Sequence, residues 1–161
     1  MNRFIILLTL SYSLAFISVV ARAEIKTFRA EYRAEYQGLP IKAKAIRKLD
    51  KNTDNRFRFV STVNSVFIQV TETSEFEYEN LQIRPLNYDY QRKGLGRERR
   101  EKLTFDWGKK RLIFNTKELS PLAAGTLDKL SLQLKLREDV AQILATNDPI
   151  FNLSYIILKT L

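Results

Sequence analysis

LDKLSLQLKLREDVAQIL, residues 127–144, decides the fold of this sequence, since it is the one stretch that can form a long helix after a series of strands. Its leucines at positions 130, 132, 134 and 136 alternate with polar residues, in the two-residue period of a half-buried strand. Residues 127–139, however, contain no β-branched residue, glycine or proline, and most of them are good helix formers. Composition therefore favours a helix over a strand.

Wound as a helix, this stretch has apolar residues on two nearly opposite faces. The two sets are Leu127, Leu130, Leu134 and Ala141 on one face and Leu132, Leu136, Val140 and Ile143 on the other. Such a helix is expected to be packed between two layers rather than laid on one surface. Gly125 can supply the turn before it, and Thr126 an N-cap oxygen.

Alternating apolar and polar residues predict strands on both sides of the helix. The clearest is residues 28–36, in which Phe, Ala and Tyr occupy one face and charged side chains the other. Pro85 cannot donate a ladder hydrogen bond, so it is expected at an edge, at a bulge or among the first residues of its strand. The further predicted strands are residues 41–49, 56–64, 66–79, 81–91, 97–107, 111–117 and 150–161.

We therefore expect a mainly β protein with one helix (α+β): a curved, partly closed antiparallel sheet, an incomplete β-barrel, packed on a helix at about residues 127–144. The alanines on the inner face of the first hairpin would let a helix approach closely or leave a hollow. They are Ala30, Ala34, Ala43 and Ala45.

Residues 1–23 have the pattern of a cleaved secretory signal. Arg3 precedes an uncharged, mostly apolar run, and Ala21 and Ala23 are the small residues of a cleavage site. We expect cleavage between Ala23 and Glu24, a periplasmic location, and one β-rich domain over residues 24–161. An uncleaved membrane anchor is the alternative. No stretch after residue 23 is apolar enough to span a bilayer.

Charge and composition exclude several functions. The formal charge of +9 falls to +7 without Arg3 and Arg22, which suits anionic envelope components such as lipid headgroups. With no cysteine or histidine, the chain lacks disulfides, thiolate and imidazole metal ligands, and the usual catalytic triads. No spacing pairs Asp89, Asp106 or Asp128 as an acid and a base. We expect no enzyme activity, no cofactor and no metal site.

Arg97, Arg99 and Arg100 are the candidate anion-binding residues, within a basic cluster that runs from Arg92 to Lys102. The alternative, which we favour, is a solvated hairpin tip. A second basic cluster at residues 109–111 would lie at the opposite end of the sheet, on the order of 35 Å away along the strand between them. No nucleic-acid partner is expected.

An aromatic set provides the candidate ligand-binding residues: Phe28, Tyr32, Tyr36, Phe105 and Trp107. On the concave face of a curved sheet they could line a pocket for a lipid or another apolar ligand. The alternative, which we favour, is that they form the core beneath the helix.

Several short motifs, in their order along the chain, resemble an exported bacterial family catalogued as domain of unknown function 3108. They are Phe28-x-Ala30-x-Tyr32, Tyr36-x-Gly38-x-Pro40, Ile83-x-Pro85-x-x-Tyr88-x-Tyr90, Phe105-Asp106-Trp107, and Asp128-x-Leu130-Ser131 leading into Leu136-Arg137. The resemblance covers most of residues 28–140 and implies a periplasmic, β-rich domain with a barrel-like sheet and a helix. Family members usually continue through further strands, so the resemblance, which ends at Ile143, implies a C-terminally shortened member. It implies no activity.

We expect a non-catalytic periplasmic binding or envelope-assembly protein, holding an apolar or amphiphilic ligand, such as a lipid or another envelope component, between sheet and helix. The alternative is an interaction module that docks a protein partner at its open sheet edge, with the strand at residues 150–161 pairing with the other chain.

Overall fold

The computed structural model describes residues 25–35, 42–53, 55–94, 96, 98–146 and 156–157. Within these ranges the chain forms ten strands and one helix. In chain order they are β1 (Phe28–Glu35), β2 (Lys42–Lys51), β3 (Arg56–Ser65), β4 (Ile68–Glu79), β5 (Gln82–Gly94), β6 (Arg99–Asp106), β7 (Arg111–Phe114), β8 (Lys117–Pro121), β9 (Thr126–Leu127), α1 (Lys129–Thr146) and β10 (Ile156–Ile157).

The first eight strands form one antiparallel sheet in which each strand pairs with the next along the chain. This up-and-down order needs only short connections. Within the described ranges β1 and β8 do not pair, so the sheet is not closed into a barrel. The expected mainly β fold, with an incompletely closed antiparallel sheet packed on one helix near residues 127–144, is confirmed.

The prediction of one strand over residues 111–117 is wrong, because β7 and β8 are separate strands joined by a tight turn. Asn115 has a φ of 54°, a conformation that asparagine tolerates better than most residues. Its backbone N–H donates to the carbonyl of Lys102, and its side-chain oxygen accepts from the N–H of the same residue. Asn115 therefore ends β7 and also ties the turn to β6.

Pro85 lies at a bulge in β5, one of the three placements expected for it. Glu75 of β4 is opposite Asn87, but its neighbour Phe76 is opposite Pro85, so Leu86 is the extra residue. A bulge of this kind bends the strand and increases its twist. The carbonyl of Pro85 accepts a hydrogen bond of 2.6 Å from Nε1 of Trp107, which fixes the bulge to the end of β6.

The helix packs on the sheet mainly with one face. Leu130 and Leu134 are fully buried, and α1 lies mainly against β3, β4 and β5. On its other face, Leu136 and Val140 are exposed, whereas Leu132 is partly buried against the core. The expectation of a helix packed between two layers is therefore wrong, because no described element covers this outer face.

The C-terminal segment differs from the predicted strand. Of residues 150–161, only Ile156 and Ile157 are described, and they pair in parallel with Thr126 and Leu127 of β9. This pair is a separate two-stranded sheet that does not extend the eight-stranded one. The rest of the predicted strand lies outside the described residues.

Candidate functional site

Three of the rows of side chains that cross the inner face of the sheet, the face that packs on α1, define the candidate site. Directly opposite residues of antiparallel strands share a face, so the pairing register identifies each row. The helix row is Phe28, Leu49, Phe59, Ser74, Tyr88, Leu103 and Phe114. The central row is Ala30, Arg47, Ser61, Glu72, Tyr90 and Glu101, and the outer row is Tyr32, Ala45, Val63, Val70, Arg92 and Arg99.

A buried hydrogen-bond cluster fixes where the helix begins. One carboxylate oxygen of Asp128 accepts from the backbone N–H groups of Leu130 and Ser131, at 2.9 and 3.0 Å, and the other accepts from Ser74 Oγ at 2.7 Å. Ser131 Oγ accepts from the N–H of Asp128 in return. Asp128 is therefore the N-cap, and the prediction of Thr126 is wrong. Thr126 instead donates its hydroxyl to the carbonyl of Ala123, within the preceding turn.

The Asp128 carboxyl group is almost completely removed from water. Burial raises its pKa above the ordinary value, although its hydrogen bonds with Ser131, Ser74 and Leu130 act in the opposite direction. Its contact with Ser74, in the middle of β4, places the start of α1 over the helix row. The helix reaches the central row through Lys129 and Glu72, whereas the outer row lies four residues, about 13 Å, further along β4 from Ser74.

Glu72, in the central row, is buried and held by two donors. Its Oε1 accepts from the Tyr88 hydroxyl at 2.6 Å and from Lys129 Nζ at 2.8 Å. Burial raises the pKa of Tyr88 far above its ordinary value, and the hydrogen bond to Glu72 adds to the effect. Tyr88 therefore remains a neutral phenol that donates to Glu72. These contacts fix the carboxylate at the boundary between the covered and uncovered parts of the inner face.

At one end of the outer row, two arginines stand directly opposite each other. Arg92 of β5 pairs with Arg99 of β6, and like charges in this arrangement are destabilising. Arg99 forms an ion pair with Glu101, which is nearly buried. Arg92 Nε is also buried, and among the described residues it has no hydrogen-bond partner. A buried donor without a partner is costly, so an anionic group placed here would satisfy Arg92 and reduce the repulsion.

The other end of the outer row is apolar. Ala45, Val63 and Val70 are half-buried, while Tyr32 is 53% exposed. The guanidinium carbon of Arg47, in the central row, lies 6.0 Å from the centroid of the Tyr32 ring. The row thus changes from apolar on β1 to β4 to cationic on β5 and β6.

The structure does not bring the five predicted ligand-binding aromatic residues together. Phe105 is buried and stacks on Trp107 with 6.2 Å between ring centroids, whereas Phe28 packs edge-on against Phe59, with 5.7 Å between ring centroids. Four strands separate the β1 pair, Phe28 and Tyr32, from the β6 pair. Tyr36 lies outside the described residues.

The predicted anion-binding arginines are also divided. Arg99 and Arg100 are neighbours in β6 and therefore project to opposite faces of the sheet. Arg100 lies 2.8 Å from Glu98 Oε1, and hydrogen bonds from Gln91 and Arg100 lower the pKa of Glu98. Arg97 lies outside the described residues. Of the three, Arg99 alone belongs to the outer row.

Sequence reasoning did not single out Arg92, Glu72 or Ser74. Arg92 stood in the basic cluster, and two-residue alternation places it on the same face as Tyr90, but only the hairpin register puts it opposite Arg99. Glu72 and Ser74 meet the start of the helix across 57 and 54 residues of sequence. No local signal reveals such contacts.

The described residues contain no group of three or more Asp and Glu side chains arranged to hold a metal ion. In the same part of the chain, no helix combines the length and the apolar character needed to cross a bilayer.

The family model described as "Protein of unknown function (DUF3108)" matches residues 31–153. The match confirms the resemblance seen in the short motifs and extends past Ile143, where those motifs end. No curated protein and no solved structure matches the chain.

Proposed function

The chain belongs to the DUF3108 family, whose function is unknown, and we propose from its geometry that it is a non-catalytic periplasmic binding or envelope-assembly protein. Its ligand is an amphiphile with an anionic head, held along the outer row of the sheet's inner face. One observation carries the proposal: in the described part of the chain, the outer row is apolar at one end, and at the other end it has Arg92, whose buried Nε has no hydrogen-bond partner there.

The dimensions of the row suit an extended amphiphile. From Tyr32 to Arg99 the row crosses six strands, which at about 4.8 Å per spacing is on the order of 24 Å. The apolar part, from Tyr32 to Val70, spans about 14 Å of this length. A single apolar chain would lie on Ala45, Val63 and Val70, and its head would accept hydrogen bonds from Arg92 and Arg99.

The packing beneath the helix supports a ligand beside α1 rather than under it. Phe76, Leu130 and Leu134 are fully buried between the helix and the sheet, where they contribute to one continuous apolar core. A ligand at that place would have to displace well-packed side chains. The proposed site is therefore bounded by the N-terminal end of the helix, at Lys129.

The charged groups near the site support binding rather than catalysis. Glu72 accepts hydrogen bonds from Tyr88 and Lys129, and Glu101 is paired with Arg99. The raised pKa of Tyr88 keeps its phenol from acting as a base near neutral pH. The signal pattern in residues 1–23 supports export, which would bring the chain into contact with envelope amphiphiles.

The proposal is tested by calorimetric titration with dodecyl phosphate, a single-chain anionic amphiphile, below the concentration at which it forms micelles. We expect saturable binding that Arg92→Gln weakens about tenfold or more, because a charge-assisted hydrogen bond contributes about 1.5–3 kcal/mol. Arg58→Gln is the matched control, since Arg58 is an exposed residue on the opposite face of β3. Equal affinities for the three proteins, or no saturable binding by the unchanged chain, would refute the proposal.

A second candidate is an interaction module that pairs a partner strand with the open sheet edge. It is favoured by one observation, namely that β1 and β8 are each paired on one side only within the described residues. The charged residues of β1 and the proline that ends β8 make both edges poor templates for pairing. A partner at β8 would be lost on replacing Leu119, which is exposed there, by proline.

A further inference from the structure

Two large apolar side chains are exposed at the turn between β3 and β4. Val66 is 71% exposed and Phe67 59%, side by side at the tip of the hairpin. Ser65 closes the turn, with its Oγ accepting from the N–H of Ile68. The two apolar residues are therefore presented outward on a turn fixed by its own hydrogen bonds, and they contribute nothing to the core.

The basic hairpin formed by β5 and β6 ends beside this tip. Ile68 is opposite Gly94 in the sheet, and a Cβ atom at Gly94 would lie only 2.0 Å from the carbonyl oxygen of Phe67. The two backbones are thus in direct contact at this end of the sheet. Cations near the end of β5 and the start of β6 consequently flank Val66 and Phe67.

This end of the sheet also has an excess of positive charge. The described residues at this end, in ranges 31–35, 42–45, 64–70 and 91–101, include seven cations and four carboxylates. The cations are Arg33, Lys42, Lys44, Arg92, Lys93, Arg99 and Arg100, and the carboxylates are Glu31, Glu35, Glu98 and Glu101. An anionic partner surface would complement this excess.

We propose that Val66 and Phe67 dock the protein end-on to an anionic lipid bilayer, entering the headgroup region while the surrounding cations contact lipid phosphates. A protruding pair of apolar residues with flanking cations fits the boundary between headgroups and acyl chains, which takes up apolar side chains and attracts positive charge. A folded acidic protein would offer the cations a partner but would leave the convex apolar tip without one. Val66 and Phe67 lie outside the outer row, although Arg92 and Arg99 belong to it, so the tests below change the tip residue and leave the proposed ligand site unaltered.

The direct test places a tryptophan at the tip, as Phe67→Trp. The chain has one natural tryptophan, Trp107, which follows β6 at the opposite end of the sheet, on the order of 25 Å away. The protein is used as recovered from expressing cells, with its N-terminus read by mass spectrometry. Vesicles of phosphatidylglycerol and brominated phosphatidylcholine should quench the fluorescence of the added tryptophan in the variant. The same vesicles should not change the fluorescence of the unchanged chain, which comes from Trp107. Quenching of Trp107, or no quenching in the variant, would overturn the proposal.

Vesicle sedimentation provides the second measurement. We expect Phe67→Ser to lower the partition coefficient on phosphatidylglycerol vesicles about tenfold or more, since it removes a large apolar side chain from the interface. Leu144→Ser is the matched control, because Leu144 is 74% exposed near the C-terminal end of α1. Binding should also fall steeply with added salt and be absent on vesicles of phosphatidylcholine alone. An effect of Leu144→Ser as large as that of Phe67→Ser would assign the membrane contact to the helix instead and refute the proposal.

Discussion

Asp128 is the residue on which the position of the helix depends. Replacing it by alanine removes the acceptor for the N–H groups of Leu130 and Ser131 and leaves the hydroxyl of Ser74 without its partner. We expect Asp128→Ala to lower the free energy of unfolding by about 2–4 kcal/mol, from the lost cap and the unsatisfied buried group. Urea unfolding measures the loss. Asp128→Asn keeps an acceptor oxygen for the cap and should cost less than half as much, and equal losses would contradict this role.

The buried charge of Asp128 also makes stability depend on pH. Because burial raises the pKa of Asp128 above 3.8 in the folded state, the folded chain holds this proton more tightly than the unfolded chain. As the pH rises through the window from 3.8 to the raised value, the group contributes progressively less stability, and above that window the loss is complete. Wild type should therefore lose stability relative to Asp128→Asn as the pH is raised from about 4 to 7. This would be contradicted if the difference in unfolding free energy between the two proteins did not change with pH, or if wild type gained stability relative to Asp128→Asn as the pH rose.

The cap illustrates how far residue-level prediction can go. Asp128-x-x-Ser131 is a capping pattern, and the same residues stand in the family motif, so the sequence contained the signal. Thr126 competed with it because threonine is also a good N-cap residue and precedes the helix as well. Ser74 decides between them by its contact with Asp128, and that contact joins residues 54 positions apart.

Trp107 has a structural role, because it forms a hydrogen bond with the bulge in β5. Trp107→Ala removes the hydrogen bond to the Pro85 carbonyl and the stacking on Phe105, and we expect a loss of about 2–4 kcal/mol in unfolding free energy. Tyr32→Ala, at an exposed position of β1, should change stability by less than about 0.5 kcal/mol. Denaturant unfolding of both variants separates the cases. If Trp107→Ala left the unfolding free energy unchanged, this structural role would be contradicted, and a role in contacting a ligand would remain.

The two glycines that flank Leu95 should differ sharply in their tolerance of a side chain. Gly94 has a φ of 110° and lies against the Phe67 backbone, whereas Gly96 has a φ of 76° and open space around it. Gly96→Ala should cost about 1–2 kcal/mol, from the left-handed conformation alone. Gly94→Ala should cost clearly more, because its Cβ atom would also force β4 and β5 apart. Comparable unfolding free energies for the two variants would show that the two hairpins are not in contact there.

Among the elements, the helix was predictable and its surroundings were not. Helix-forming composition outweighed the alternating leucines, and the structure confirms the helix within two residues at each end. The alternation left Leu136 on the outer face, where it is 42% exposed. Which of two apolar faces is buried depends on the neighbouring layer, and the sequence of the helix does not contain that information.

For the whole molecule, the meander of strands followed from two-residue alternation and from glycines at the turns. The candidate site did not follow, because it arises from an offset between two elements. Ser74 anchors the start of α1 partway along β4, so the helix begins over the helix row, and the outer row lies about 13 Å further along the strand. The apolar-to-cationic change along the outer row appears only when the registers of five strand pairs are known.

The most direct test of the account is a native mass spectrum of the chain recovered from a periplasmic extract, recorded for the unchanged chain, for Arg92→Gln and for the control Arg58→Gln. The proposed function predicts a chain beginning at Glu24 with an additional species of lipid size, retained by Arg58→Gln and lost or strongly reduced in Arg92→Gln. An unliganded monomer in all three spectra, or equal retention in all three, would contradict it. A dimer or a co-purified polypeptide would instead favour docking at the open sheet edge.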